Sequence, residues 1–198
     1  MRLASLLRGA AIAAAAAGVG YVALATDAGR EADADLFAAV NRGHGFDADR
    51  AFTGITELGS MYAAGAAGGT LAAFGRPRQA TRAFLAAGTT WLLGQGVKKL
   101  VDRPRPYVAD PDGTRAMIAP PAGTSWPSSH PAVLTSFTTV ATRELGVGML
   151  ARSGLTALGV SVAASRVYLG VHYPSDVVSG FLLGRAVAAV WPRRRGPR

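Results

Sequence analysis

The chain has 198 residues, enough for one domain, and nearly half of them are apolar. Its 21 Lys+Arg against 12 Asp+Glu give a formal charge of +9, which in a soluble chain would point to nucleic acid; apolar runs this long and this poor in charge exclude that as the first choice. No cysteine is present, so disulfides and thiolate metal sites are excluded, and the three histidines, His44, His130 and His172, have no metal-ligand spacing.

A helix that crosses a bilayer takes roughly 20 mostly apolar residues. Six segments meet or approach that: about Gly9 to Ala25, Phe52 to Phe74, Thr81 to Val101, Pro131 to Leu145, Gly154 to Leu169 and Ser175 to Trp191. They are rich in Ala, Gly and Thr, small residues that let helices approach closely inside a membrane. The expected fold is all-α, a polytopic membrane bundle of about six transmembrane helices. It forms a single integral-membrane domain over residues 1–198, with its motif-bearing core at 81–191. The rival at the N-terminus is a signal peptide: Arg2 and Arg8 precede an apolar run, and Ala23-Leu24-Ala25 resembles a peptidase site. Between the first two segments, Thr26 to Arg50 carries six acids and reads as a short amphipathic surface segment. The stretch from Asp102 to Pro127 is rich in Pro, Gly and Asp and reads as an ordered external loop able to cover a site.

Charge sets the expected orientation. With six crossings and the N-terminus inside, the inner segments hold Arg2, Arg8, Arg76, Arg78, Arg82, Arg143, Arg152, Arg193, Arg194, Arg195 and Arg198, with Glu144 the only acid. The outer segments hold nine cations, three of which belong to the motifs described next. The positive-inside rule therefore puts both termini in the cytoplasm. Arg185 is left within a span, where it snorkels or pairs inside the bundle. The ends of segments three and five and the starts of four and six then fall on the external face.

All three chemistry-bearing stretches occupy those ends. In the first, Lys98 and Arg105 flank a helix terminus enforced by Pro104 and Pro106, a point charge and a planar fork suited to a phosphate. Taken alone, it also fits a basic flank on lipid headgroups. In the second, Trp126-Pro127-Ser128-Ser129-His130-Pro131, Pro131 suits the first position of a helix. Residues Ser128 to His130 then sit at free amides and a positive dipole end that favour an anion, and His130 can give a proton to a leaving oxygen. An N-cap beside an interfacial histidine fits this stretch equally well. In the third, Ser165-Arg166 precedes His172 and Asp176, and Pro174 opens a helix. Asp176 in its first turn points back to His172, fixing the tautomer and leaving the other ring nitrogen as a nucleophile. A capping aspartate with a stray histidine is the plainer account, but charges this close to a bilayer usually have a function.

Together these residues resemble the type 2 phosphatidic acid phosphatase superfamily, the lipid phosphate phosphatase and vanadium haloperoxidase-like group. Its signature is Lys-x6-Arg-Pro, then Pro-Ser-Gly-His, then Ser-Arg-x5-His-x3-Asp. The chain has Lys98 with Arg105-Pro106, then Pro127-Ser128-Ser129-His130, then Ser165-Arg166, His172 and Asp176, in that order. The resemblance implies that His172 attacks phosphorus and forms a phosphohistidine, that Asp176 orients it, and that His130 protonates the leaving group and then activates water. It implies phosphate binding by Lys98, Arg105, Arg166, Ser128 and the Ser129 amide, with no metal and no cofactor. One position departs: Ser129 stands where the family has glycine, so a glycine-only backbone angle there would be strained. The implied substrate is a lipid phosphate or diphosphate, an isoprenoid diphosphate first, then phosphatidate or phosphatidylglycerol phosphate. The expected partners are that substrate and membrane lipids, not nucleic acid. Three rivals share parts of the pattern: a lipid phosphotransferase using the same intermediate, a vanadium haloperoxidase, and a non-enzymatic membrane scaffold.

Overall fold

A computed structural model describes residues 3–193; Arg2, Arg194, Arg195 and Arg198 of the inner set lie outside the described residues. Every regular element among the described residues is helical. The helices are α1 (Leu3–Ala25), α2 (Asp27–Asn41), α3 (Phe46–Thr56), α4 (Met61–Ala73), α5 (Pro77–Lys98), the single turn α6 (Pro106–Ala109), α7 (Ser129–Leu145), α8 (Met149–Tyr168) and α9 (Pro174–Val190).

Helix α7 is the centre. It packs against α5, α8 and α9, and it is buried without a break from Pro131 to Phe137. Its Val133, Phe137, Val140 and Ala141 cluster with three alanines of α5, Ala83, Ala86 and Ala87, with Ala64 of α4 and Ala188 of α9 closing the cluster. Small side chains let these backbones approach, which is how helices associate where the solvent is itself apolar. The crossing of α7 and α9 is tighter still. A Cβ at Gly180 would lie 2.1 Å from the Ser128 carbonyl oxygen, and one at Gly184 would lie 2.4 Å from that of Ala132.

Helix α1 lies along α9, and Ser179 donates to the Ala16 carbonyl at 3.1 Å. It is an integral wall of the bundle. It is also the one described helix that by length and apolarity can cross a membrane. Helices α5 and α8, with 22 and 20 residues, reach about 30 Å at 1.5 Å per residue but carry more polar groups. Helices α7 and α9 have 17 residues each, about 25 Å.

Two expectations are corrected. The run Phe52 to Phe74 is not one span: a 3-10 turn at Glu57–Gly59 separates α3 from α4, and Ser60 starts α4 afresh by accepting from the Ala63 amide at 3.0 Å. The 13 residues of α4 reach only about 20 Å. The acidic stretch after α1 is a helix of 15 residues, α2, capped by Thr26, whose hydroxyl accepts from Gly29 N at 3.0 Å. It is not confined to the surface, because Asp33, Phe37 and Asn41 on one face are buried. Asn41 donates to the carbonyls of Tyr168 and Arg115 and accepts from Arg115 N, which ties α2 to the end of α8 and to the long loop.

The basic segments counted above gather at one end. Arg82 donates to Pro192 O, Arg143 to Ala188 O, and Arg193 to Ser5, so the starts of α1 and α5 meet the ends of α7 and α9. The three motifs occupy the opposite end.

Candidate active site

Four helix ends converge there. Helix α5 stops at Lys98, α7 starts at Ser129, α8 stops two residues after Arg166, and α9 starts at Pro174. The loop from 99 to 128 closes over them, and its carbonyls hold the cations. Lys98 donates to Thr124 O at 2.6 Å and to Ser125 O at 3.0 Å. Arg105 is buried and donates to Gly123 O and Val171 O at 2.9 Å each and to Ala122 O at 3.3 Å. Arg166 is 2% exposed; it donates to Thr56 Oγ1 at 2.9 Å and its Nε has no partner.

His172 lies between a cation and a carboxylate. Arg105 Nη1 is 3.1 Å from His172 Nε2, and Asp176 Oδ2 is 3.3 Å from Nδ1. Arginine can only donate, so Nε2 is the acceptor and the proton of the neutral ring sits on Nδ1, facing Asp176. Burial holds this imidazole far below its ordinary range, down to about 3, against the pull of Asp176. The ring is therefore neutral at physiological pH, with a lone pair aimed into the cationic pocket. Burial also lowers the pKa of Arg105, which stays a cation.

His130 sits in the first turn of α7, with Arg166, His172, Arg105 and Lys98 all bearing on it electrostatically. Gly59 lets it in: a Cβ there would lie 2.7 Å from His130 Cβ and 2.8 Å from Val162 Cγ1. Ser128 is the N-cap of α7, with extended backbone, but its side chain caps nothing. Its hydroxyl is buried and without a partner. Together with Arg166 Nε it leaves two donors aimed at no protein acceptor, which suits an anion at the helix start. The helix begins at Ser129, two residues before the expected Pro131. Ser129 has no positive φ, so the feared strain is absent, and its hydroxyl accepts from Gln95 Nε2 at 3.3 Å.

The structure therefore brings every predicted site residue to one end of the bundle. It also adds residues that the motifs missed. Asp176 accepts from Ser125 Oγ and from Tyr173 N on the oxygen that faces His172. Its other oxygen takes Arg103 Nη1 at 2.6 Å. Arg103 continues to Asp33 of α2 at 2.6 Å and lies 4.1 Å from the centre of the Tyr173 ring. Asp33 also accepts from Ser175 N at 2.8 Å. Asp33, Arg103 and Asp176 are each less than 10% exposed, a buried acid–base–acid row behind the histidine. The one available signal was Arg103 itself, a second arginine beside Arg105 in a proline-rich turn. His44 takes no part and stacks on Tyr168.

The comparisons with known proteins fit this geometry. A sequence profile of the PAP2 superfamily matches residues 79–197. Decaprenylphosphoryl-5-phosphoribose phosphatase of Mycobacterium tuberculosis is 33% identical over 124 residues, which is 61% of this chain and 65% of that protein. The protein of the same name from Mycolicibacterium smegmatis is 33% identical over 135 residues, 66% of this chain and 68% of that one. The chain thus spans about two thirds of the length of these curated relatives. Among solved structures, LpxE of Aquifex aeolicus has a TM-score of 0.70 at 26% identity, covering 78% of this chain and 90% of that one. A transmembrane PAP2-type phosphatidylglycerolphosphate phosphatase of Bacillus subtilis also has a TM-score of 0.70, at 25% identity, covering 94% and 91%. Ordered motifs, converging helix ends and these matches lead to one conclusion: the chain belongs to the PAP2 superfamily.

Proposed function

We propose that this protein is a membrane phosphatase that hydrolyses a lipid phosphate through a phosphohistidine, in one integral-membrane domain over residues 1–198. One observation carries this: His172 presents Nε2 to Arg105 while Nδ1–H is held by Asp176, in a buried pocket of fixed cations. In the first step Nε2 attacks phosphorus, the N–P bond forms, and the P–O bond to the leaving alkoxide breaks. Lys98, Arg105, Arg166, Ser128 and the Ser129 amide bind the three equatorial oxygens, where transition-state charge is spread. Arg105 releases Nε2 as it turns to the phosphate. His130 protonates the alkoxide. The resting pocket opposes charge on His130, and the incoming phosphate anion offsets the three cations, so proton and substrate arrive together. His130 then takes a proton from the water that splits the N–P bond and releases phosphate. The fixed cations supply the electrostatic stabilisation that a metal would give in other phosphatases.

The proposed substrate is an isoprenoid-linked phosphoester, of the kind named for the mycobacterial relatives. Its polar head would reach the cations at the external face while its tail stays in lipid, both termini lying in the cytoplasm. The test is phosphate release by purified protein from polyprenyl phosphoesters and diphosphates, phosphatidate, phosphatidylglycerol phosphate and a soluble ester, with and without an acceptor alcohol. Wild type should prefer a polyprenyl substrate and His172→Ala should be inactive. Undiminished release by His172→Ala would refute the nucleophile, and an increase in alcohol phosphorylation at the expense of free phosphate would make the protein a phosphotransferase.

A further inference from the structure

The end of the bundle away from the histidines holds a cavity of about 810 Å³ that the phosphatase chemistry does not use. Along α7, Arg143 at this end is about 20 Å from His130, at 1.5 Å per residue. Residues of α1, α7, α8, α9 and the segment after α9 line the cavity, among them Arg8, Arg143, Arg152, Arg185 and Arg193. Among the described residues no carboxylate lines it. The neighbouring acid, Glu144, has a side chain only 3% exposed, already paired with Arg82 at 3.1 Å and Arg143 at 3.5 Å. Among the described residues, Arg8, Arg152, Arg185 and Arg193 form no ion pair. Arg143 Nε is buried with no hydrogen-bond partner, while Arg185 donates to Thr139 Oγ1 at 3.4 Å.

Five guanidinium groups around one cavity repel one another, and an anion with several acceptor oxygens removes that repulsion. The walls say which kind of anion. Beside the arginines, α8 exposes Met149 at 83%, Leu150 at 87% and Val160 at 55%, and α1 exposes Leu3 and Leu7. Leu155 and Val160 also line the cavity itself. A free phosphate has no use for those apolar flanks, whereas a phospholipid has acyl chains to lay on them. Basic pockets between membrane helices on the cytoplasmic side are suited to anionic headgroups.

We infer that this cavity is a second phosphate site, occupied by the headgroup of an anionic phospholipid of the surrounding membrane. The lipid joins α1 to α8 across α7 and α9 and neutralises the basic end of the bundle. It is bound as a structural ligand, not as substrate.

The experiment compares wild type with Arg152→Gln/Arg185→Gln, both exposed positions, in nanodiscs of phosphatidylcholine alone or with phosphatidylglycerol. Native mass spectrometry counts retained lipid and a thermal scan gives the melting midpoint. Phosphatidylglycerol should raise the wild-type midpoint by several degrees and remain bound, and the double variant should bind it roughly tenfold more weakly and lose the shift. Should the double variant be poorly folded, Arg152→Gln alone and a sodium chloride titration of wild type replace it, each expected to shrink the shift. Equal retention and equal shifts in wild type and variants overturn the inference. Inorganic phosphate giving the whole shift without phosphatidylglycerol overturns the lipid as occupant. The double variant should keep wild-type phosphate release in phosphatidylcholine. Failure of the phosphatase proposal would appear in wild-type turnover and leave the lipid count unchanged.

Discussion

His172 is defined by the groups on its two ring nitrogens, and those groups make separate predictions. Ser125→Ala removes one hydrogen bond from the Asp176 oxygen that faces the ring. A bond to a charged group contributes about 1.5–3 kcal/mol, so kcat should fall roughly 10- to 100-fold with KM nearly unchanged in steady-state kinetics. The pH dependence of stability has a definite sign. Burial holds His172 at about 3 in the folded protein, whereas the unfolded chain titrates near 6.5. Between those values the unfolded state binds a proton that the folded state refuses. Stability should therefore fall as pH drops below about 6.5 and level off above it. Thermal midpoints in detergent from pH 4.5 to 8 check this, and His172→Gln should reduce the slope without abolishing it, because His130 is held neutral by the same pocket. The motif residues were legible in the sequence because charge is conspicuous in an apolar chain and their spacing matches a signature. Their supports were not: Asp33 meets Ser175 across 142 residues and Thr56 meets Arg166 across 110, separations over which no local pattern acts.

At the level of helices, the seam between α7 and α9 aligns the two motifs that carry the histidines. Gly180 faces the Ser128 carbonyl, and Ser128 N in turn donates to Asp176 O at 2.9 Å. Gly180→Ala must push the start of α7 away from α9. Overpacking of this kind costs about 1–3 kcal/mol, so the melting midpoint should drop. Substrate binding should weaken as well, because Ser128 moves with its carbonyl; KM and the thermal scan check both. Proline placement marked the start of α9 at Pro174, whereas it put the end of α5 near Asp102 instead of Lys98 and the start of α7 at Pro131 instead of Ser129. The break in the run Phe52 to Phe74 was marked only by Glu57 and Gly59-Ser60, hidden between two apolar stretches. Its cause is tertiary, since Gly59 is where His130 enters. For α2, the apolar content was too low to suggest burial. Asp33 and Asn41 are buried because each has partners, not because the helix is hydrophobic.

Across the whole molecule, the arginines of the inner segments and the histidine site lie at opposite ends, and absence of cysteine makes the orientation measurable. Single substitutions Asp112→Cys and Gly148→Cys fall on exposed positions at the two ends of the cysteine-free chain. In intact cells, a membrane-impermeant maleimide should label Asp112→Cys and leave Gly148→Cys unlabelled until the membrane is opened. The reverse pattern would put the active site in the cytoplasm. The profile match starts at residue 79, yet the buried row behind His172 starts at Asp33, and Arg166 leans on Thr56. A fragment trimmed to the matched stretch would retain all eight motif residues while leaving Arg103 half-neutralised and Arg166 without its hydroxyl anchor. The unit that assembles the site is thus larger than the unit that can be recognised by its signature, and any minimal version of this protein has to keep the helices in front of the signature.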